Sequence, residues 1–119
     1  VICLHASREL GFDDFIDYEL LSSMKSDSCF INLARGELVD EKALEEVLKS
    51  RIDVSAYIDV FKEEPYTGPL TQVSNCFCTS HVGSMTASSR LAMEYDAAAN
   101  LVSFVNREDI NEENVVFMP

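Results

Sequence analysis

Three kinds of side chain that together can hold a carboxylate and move a proton follow three successive apolar runs in this 119-residue chain. Cys29-Phe30-Ile31-Asn32-Leu33 leads into Ala34-Arg35-Gly36. Val54 to Val60 ends near Asp59, with Glu63 and Glu64 close behind, and Cys76-Phe77-Cys78-Thr79 delivers His81 and Gly83. A guanidinium grips carboxylate oxygens through paired hydrogen bonds, and an imidazole exchanges a proton near neutral pH. A neighbouring carboxylate completes the set, because it fixes the imidazole tautomer and stabilises the imidazolium. Singly, each has a plainer explanation: Arg35-Gly36 as a strand-to-loop turn, Glu63-Glu64 as a solvated charge run, His81 as a histidine satisfied in a loop. Their joint placement at successive run ends is what points to chemistry.

The elements that must position these groups are legible in the patterning. With Val1-Ile2-Cys3-Leu4 there are four short runs, mostly apolar throughout rather than alternating, as in strands covered on both faces. Tyr18 to Lys25 places Leu20, Leu21 and Met24 on one side. Glu41 to Arg51 does the same with Ala43, Leu44, Val47 and Leu48, and Asp40 stands ready as N-cap. An Ala-rich segment from Thr86 to about Val105 repeats Leu91, Tyr95, Ala98, Val102 and Val105 at helical spacing, capped by Thr86 or Ser88. Glu63 to Pro69, with two prolines and a glycine, is a loop. The order predicts an α/β fold, a mainly parallel sheet with right-handed crossovers and helices on its faces. In such sheets ligands bind beyond the carboxyl ends of the strands, where the candidate residues fall.

Composition narrows the function class. Nine basic against twenty-one acidic residues give a net charge of −12, which repels phosphate backbones and argues against nucleic acid as a partner. No apolar run approaches the ~18 residues of a membrane span, so no membrane partner is expected. Cys3, Cys29, Cys76 and Cys78 match no zinc spacing and read as buried free thiols, which implies a reducing, cytoplasmic setting. No metal site is expected from His5, His81 and Cys3, and no G-x-S-x-G elbow surrounds Ser7, Ser84, Ser88 or Ser89.

Ile31-Asn32-Leu33-Ala34-Arg35-Gly36-Glu37-Leu38-Val39-Asp40-Glu41, Ile58-Asp59-Val60-Phe61-Lys62-Glu63-Glu64-Pro65 and His81-Val82-Gly83 closely resemble, in order, the signature blocks of the D-isomer-specific 2-hydroxyacid dehydrogenases, the family containing D-3-phosphoglycerate dehydrogenase. Weaker similarity extends from Val1 to about Val105. The resemblance implies a Rossmann-like parallel sheet, with residues 1–105 as the C-terminal half of a doubly wound NAD-binding domain and 106–119 as an acidic tail or return segment. It implies that Arg35 holds the substrate carboxylate, Glu64 pairs with the histidine, and His81 is the acid/base. It further implies that Asp59 holds the nicotinamide carboxamide and that Ala6, Ser7, Leu33, Ala34, Val82, Gly83 and Ser84 line the cofactor pocket beside Arg35 and His81.

The activity implied is NAD-dependent hydride transfer to or from a D-2-hydroxy acid, with 3-phosphoglycerate among the candidates, NADP as an alternative cofactor, and a homodimer as the complete assembly. Glu64, where formate-specific relatives carry glutamine, points away from formate. A second implied class is a non-enzymatic NAD-sensing co-repressor of the same fold. Two departures stand out: His5-Ala6-Ser7-Arg8 lacks a proline usual after the first strand, and Ser80 stands where proline commonly precedes the histidine. The four glycines do not form G-x-G-x-x-G, so the pyrophosphate-binding turn is expected upstream and these 119 residues alone are expected to be inactive.

Overall fold

The computed structural model describes residues 1–7 and 12–106; Arg8, Gly11 and the acidic stretch from 107 onward lie outside the described residues. The chain divides into two compact units, Val1–Gly83 and Ser84–Pro119.

The first unit is built on four parallel strands, β1 (Ile2–Leu4), β2 (Cys29–Asn32), β3 (Ser55–Ile58) and β4 (Cys76–Cys78), lying side by side in chain order. Helix α1 (Tyr18–Ser22) connects β1 to β2, and α2 (Glu41–Ser50) connects β2 to β3. Asp17 caps α1 by accepting the Leu20 N–H, and Asp40 caps α2 by accepting those of Lys42 and Ala43. Each cap satisfies donors that a helix start leaves without partners. Helix α1 stops at Ser22, short of the Lys25 expected from its apolar spacing. The Ser22 and Ser23 hydroxyls bond back to the carbonyls of Glu19 and Leu20, the local competition by which serine ends helices. Between β3 and β4 the chain makes a 3-10 turn (Pro69–Gln72) in place of a helix.

Phe30, Ala56 and Ile58 from the sheet pack with Leu21, Leu44, Val47 and Leu48 from the helices and Leu70 from the 3-10 turn into one core. Full burial of each larger side chain is worth roughly 1.5–3 kcal/mol. The opposite sheet face is not covered in this unit: Tyr57 and Phe77 are exposed, their rings 5.6 Å apart. This corrects the expectation of helices on both faces, and strand order explains it. When every right-handed crossover steps the same way along a sheet, all connections land on one side. The unit is therefore Rossmann-like and corresponds to one half of a doubly wound sheet. The cysteine reading also needs correction. Cys3 is exposed, and Cys29, Cys76 and Cys78 are only partly buried, although burial still pushes the Cys76 thiol up to about 12.

The second unit contains helix α3 (Ala87–Asn106). Thr86 is its cap, accepting the Ser89 N–H through its hydroxyl at 3.1 Å, and Arg90 and Glu94 pair one turn apart. Among the described residues no helix is long and apolar enough to cross a membrane.

Asn75, just before β4, donates its side-chain amide to the carbonyls of Leu48, Arg51 and Val54, at 2.8–3.1 Å. It ties the end of α2 to the start of β3. Asn75→Ala, which leaves these acceptors without that donor, is expected to cost about 1–3 kcal/mol, read as a lower urea midpoint.

Candidate active site

The loop after β2 is set by a buried amide. Asn32, 1% exposed, accepts the Ala34 N–H at 3.0 Å and donates to the Arg35 carbonyl at 2.9 Å. Its side chain folds the backbone between Leu33 and Arg35 into a fixed arc. Gly36 then lets this loop meet the one after β3: a Cβ there would sit 2.0 Å from the Phe61 carbonyl carbon and 2.5 Å from the Lys62 nitrogen. The Arg-Gly pairing is thus steric. Only a residue without a side chain lets the arginine stand beside the third strand's loop. The Arg35 side chain is exposed, and one of its N–H groups donates to Ala34 O at 2.7 Å, which leaves most of the guanidinium fork available.

The loop after β3 presents Glu64. One of its oxygens accepts the Phe61 N–H at 3.0 Å and the other lies 2.9 Å from His81 Nδ1. The Phe61 N–H, followed by the His81 ring, holds the Glu64 carboxyl below its ordinary range. An ionised carboxylate only accepts, so Nδ1 carries the proton and Nε2 is left as the basic nitrogen. The Glu63 side chain, the other half of the acidic pair, makes no such bond to His81. Arg35, Glu37, Lys62, Glu64 and His81 line one cavity of about 220 Å³. The three sequence candidates therefore converge.

The loop after β4 is wrapped around Asp59, which is 3% exposed. Its Oδ1 accepts the Thr79 hydroxyl at 2.5 Å and the Val82 N–H at 2.8 Å, and its Oδ2 accepts the Gly83 N–H at 2.9 Å. Burial pushes the Asp59 carboxyl up, but these hydrogen bonds outweigh it and its pKa lies below the ordinary value. Asp59 O also accepts the His81 N–H at 2.8 Å. His81 itself has φ of 56°, in the left-handed region that a non-glycine residue adopts only when its surroundings impose it.

The remaining candidates sit at strand ends as expected. Leu33 is exposed beyond β2, and Val82 and Gly83 are exposed beyond β4. Ala6 and Ser7 share a cavity of about 380 Å³ with His5, Phe12 and Phe15 beyond β1. Ser84 begins the second unit, so its relation to these groups is not described. No group of three or more potential metal-binding side chains occurs among the described residues. Asn32, Gly36 and Thr79 shape the site without having been marked as candidates. Asn32 and Gly36 lay within the motif, but their buried contacts leave no trace in composition or spacing.

Residues 1–83 match the NAD-binding domain of the D-isomer-specific 2-hydroxyacid dehydrogenases. The chain belongs to this family. The chain is 42% identical over 94 residues to a glyoxylate reductase from Pyrococcus furiosus, which covers 78% of the chain and 28% of the reductase. It is 36% identical over 102 residues to an (S)-sulfolactate dehydrogenase from Chromohalobacter salexigens, covering 84% of the chain and 33% of that enzyme. D-lactate dehydrogenase with NAD+ from Lactobacillus jensenii superposes with a TM-score of 0.85 at 25% identity, over 99% of this chain and 39% of that one. The chain thus spans about a third of the length of the dehydrogenases it matches.

NAD is the cofactor of this family domain, and the strand ends suit its nicotinamide end. The buried Asp59 Oδ2 accepts one N–H and, as a carboxylate oxygen, can accept another from an amide. Gly83 keeps the approach open, since a Cβ there would lie 3.3 Å from that oxygen.

Gly36→Ala should destabilise the dehydrogenase domain by about 3 kcal/mol, the upper range for overpacking, because the clash is with backbone; a urea titration measures it. Asp59 adds a pH signature. With its folded pKa depressed, its contribution is complete above the unfolded value of about 3.9 and is lost as pH falls through the lower folded value. Asp59→Asn should therefore flatten the loss of stability on acidification, followed by unfolding at a series of pH values.

Proposed function

We propose that the protein containing this chain interconverts a small D-2-hydroxy acid and its 2-oxo acid using NAD. The observation carrying this reading is the 2.9 Å Glu64–His81 pair in the same small cavity as Arg35. NAD, when bound, supplies the hydride acceptor or donor. Ala6, Ser7, Leu33, Ala34, Asp59, Val82 and Gly83 would hold it, with Arg35 and His81 adjoining. NADP is the alternative that a test of both cofactors resolves.

Arg35 orients the substrate by its carboxylate, which brings C2 and its oxygen to the imidazole. In oxidation His81 Nε2 takes the hydroxyl proton as the C–O bond becomes a carbonyl, and the Glu64 carboxylate stabilises the resulting imidazolium. In reduction the same nitrogen returns the proton. Such acid/base help is worth about 10²–10⁴-fold. The glyoxylate reductase similarity favours a small 2-oxo acid over 3-phosphoglycerate. Glu64 argues against formate, which has no hydroxyl proton to remove. The full assembly is taken as a homodimer.

The test is steady-state kinetics of the full-length protein with a panel of 2-oxo acids. His81→Gln, which keeps a donor for Glu64 but cannot carry the proton, should lower kcat about 10²–10⁴-fold while NAD affinity holds. Arg35→Lys should raise KM about tenfold or more, since an ammonium cannot reproduce the planar fork. NAD binding without turnover of any 2-oxo acid would return the protein to the non-enzymatic, co-repressor-like reading.

A further inference from the structure

The His81 turn is held in an unusual manner. Residues 79–83 reverse direction around one buried carboxylate, and the histidine sits at the left-handed point of that reversal. The space beside the turn is open. A cavity of about 640 Å³ is bordered by Thr79, Ser80 and Val82 on one side and by the stacked rings of Phe61 and Tyr66 on the other. Within this unit the turn is held by hydrogen bonds to Asp59, whose backbone carbonyl accepts the His81 N–H and whose carboxylate accepts those of Val82 and Gly83. Ser80, unlike a proline, adds no ring constraint on the backbone before the histidine.

Among the groups bonded to the Asp59 carboxylate, Thr79 differs from the other two. Val82 and Gly83 offer backbone N–H groups that move with the turn. Thr79 is anchored independently, because its own N–H bonds to Ile58 O at 2.9 Å as a continuation of the β3–β4 ladder. Its hydroxyl, 2.5 Å from Asp59 Oδ1, therefore ties the carboxylate to the sheet, and the turn in turn follows the carboxylate.

We infer that Thr79 is a positioning residue for His81: its hydroxyl holds the Asp59 carboxylate in the orientation that shapes the 81–83 turn and aims the imidazole at Glu64. This deepens the proposed function and rests on its assignment of His81 as the acid/base. Without the hydroxyl, Asp59 can rotate about its side-chain bonds, and Val82 and Gly83 go with it. The imidazole then leaves its line to Glu64 although neither reacting partner has been altered. Misplacement on the scale of an ångström is enough to reduce turnover strongly.

The experiment uses the full-length protein with Thr79→Val, close to threonine in shape but lacking the hydroxyl, and Thr79→Ser, which keeps it. Thr79→Ala removes the hydroxyl without setting a second methyl against the carboxylate and serves if the valine variant does not fold. The expected result is kcat lowered about tenfold to hundredfold in Val or Ala. KM for the 2-oxo acid should stay unchanged because Arg35 lies on another loop, and kcat should recover in Ser. Unchanged kcat in a folded hydroxyl-free variant overturns the inference. So does a loss shared by kcat, KM and thermal midpoint that serine fails to rescue, or failure of both hydroxyl-free variants to fold.

Should the unaltered protein turn over no 2-oxo acid, the proposed function fails, and the positioning claim is read separately by NMR of histidine-labelled protein. The His81 ring resonance, identified by its loss in His81→Gln, should shift in Val or Ala and return in Ser. An identical resonance in all of them overturns the inference.

Discussion

A carboxylate kept charged inside a protein must be surrounded by donors, and at the end of β3 that requirement organises everything downstream of it. Asp59 is almost wholly removed from solvent, and its demand for hydrogen bonds is met from the segment after β4. The backbone has to curl to deliver Val82 and Gly83, and the curl forces His81 into a conformation that costs free energy in isolation. Electrostatic satisfaction of one buried group is thus converted into the direction of another side chain. The Glu64 bond to Nδ1 then selects which ring nitrogen is free to react.

The second strand's loop obeys the same logic with a neutral group. Asn32 is buried on the core face, and both ends of its amide are used by the backbone that carries Ala34 and Arg35. The Asp59 N–H in turn donates to Asn32 O, so the two loops are joined through the ends of their strands. Gly36 brings the backbones into direct contact. Side chain-to-backbone bonds position the guanidinium and the imidazole, while the apolar core beneath supplies the rigid platform.

This division explains what could be read from the residues alone. The four strands, the cap Asp40 and the apolar stripe of α2 follow from local chemistry, so their patterns were visible, and the resemblance of three blocks singled out Glu64 from the Glu63-Glu64 pair. The one-sided sheet was not visible, because Tyr57 and Phe77 look like core residues by type and only strand order exposes them. Helix α1 ended early because Ser22 and Ser23 can bond backward, a competition that apolar spacing does not register. Thr79 reads as an ordinary strand residue, and its contact with a carboxylate 20 positions earlier appears only once β3 and β4 are paired.

The chain-order arrangement of the sheet also bears on how the unit assembles. Parallel sheets ordinarily fold slowly, because partners far apart in sequence must meet before any contact rewards the closure of the intervening loop. Among the described strands each pairs with its neighbours in the chain, so each pairing closes a short loop. The search is reduced to a series of short closures, the longest of them from β1 to β2. The site is complete only once β4 has docked, because Asp59 takes its donors from the segment that follows that strand.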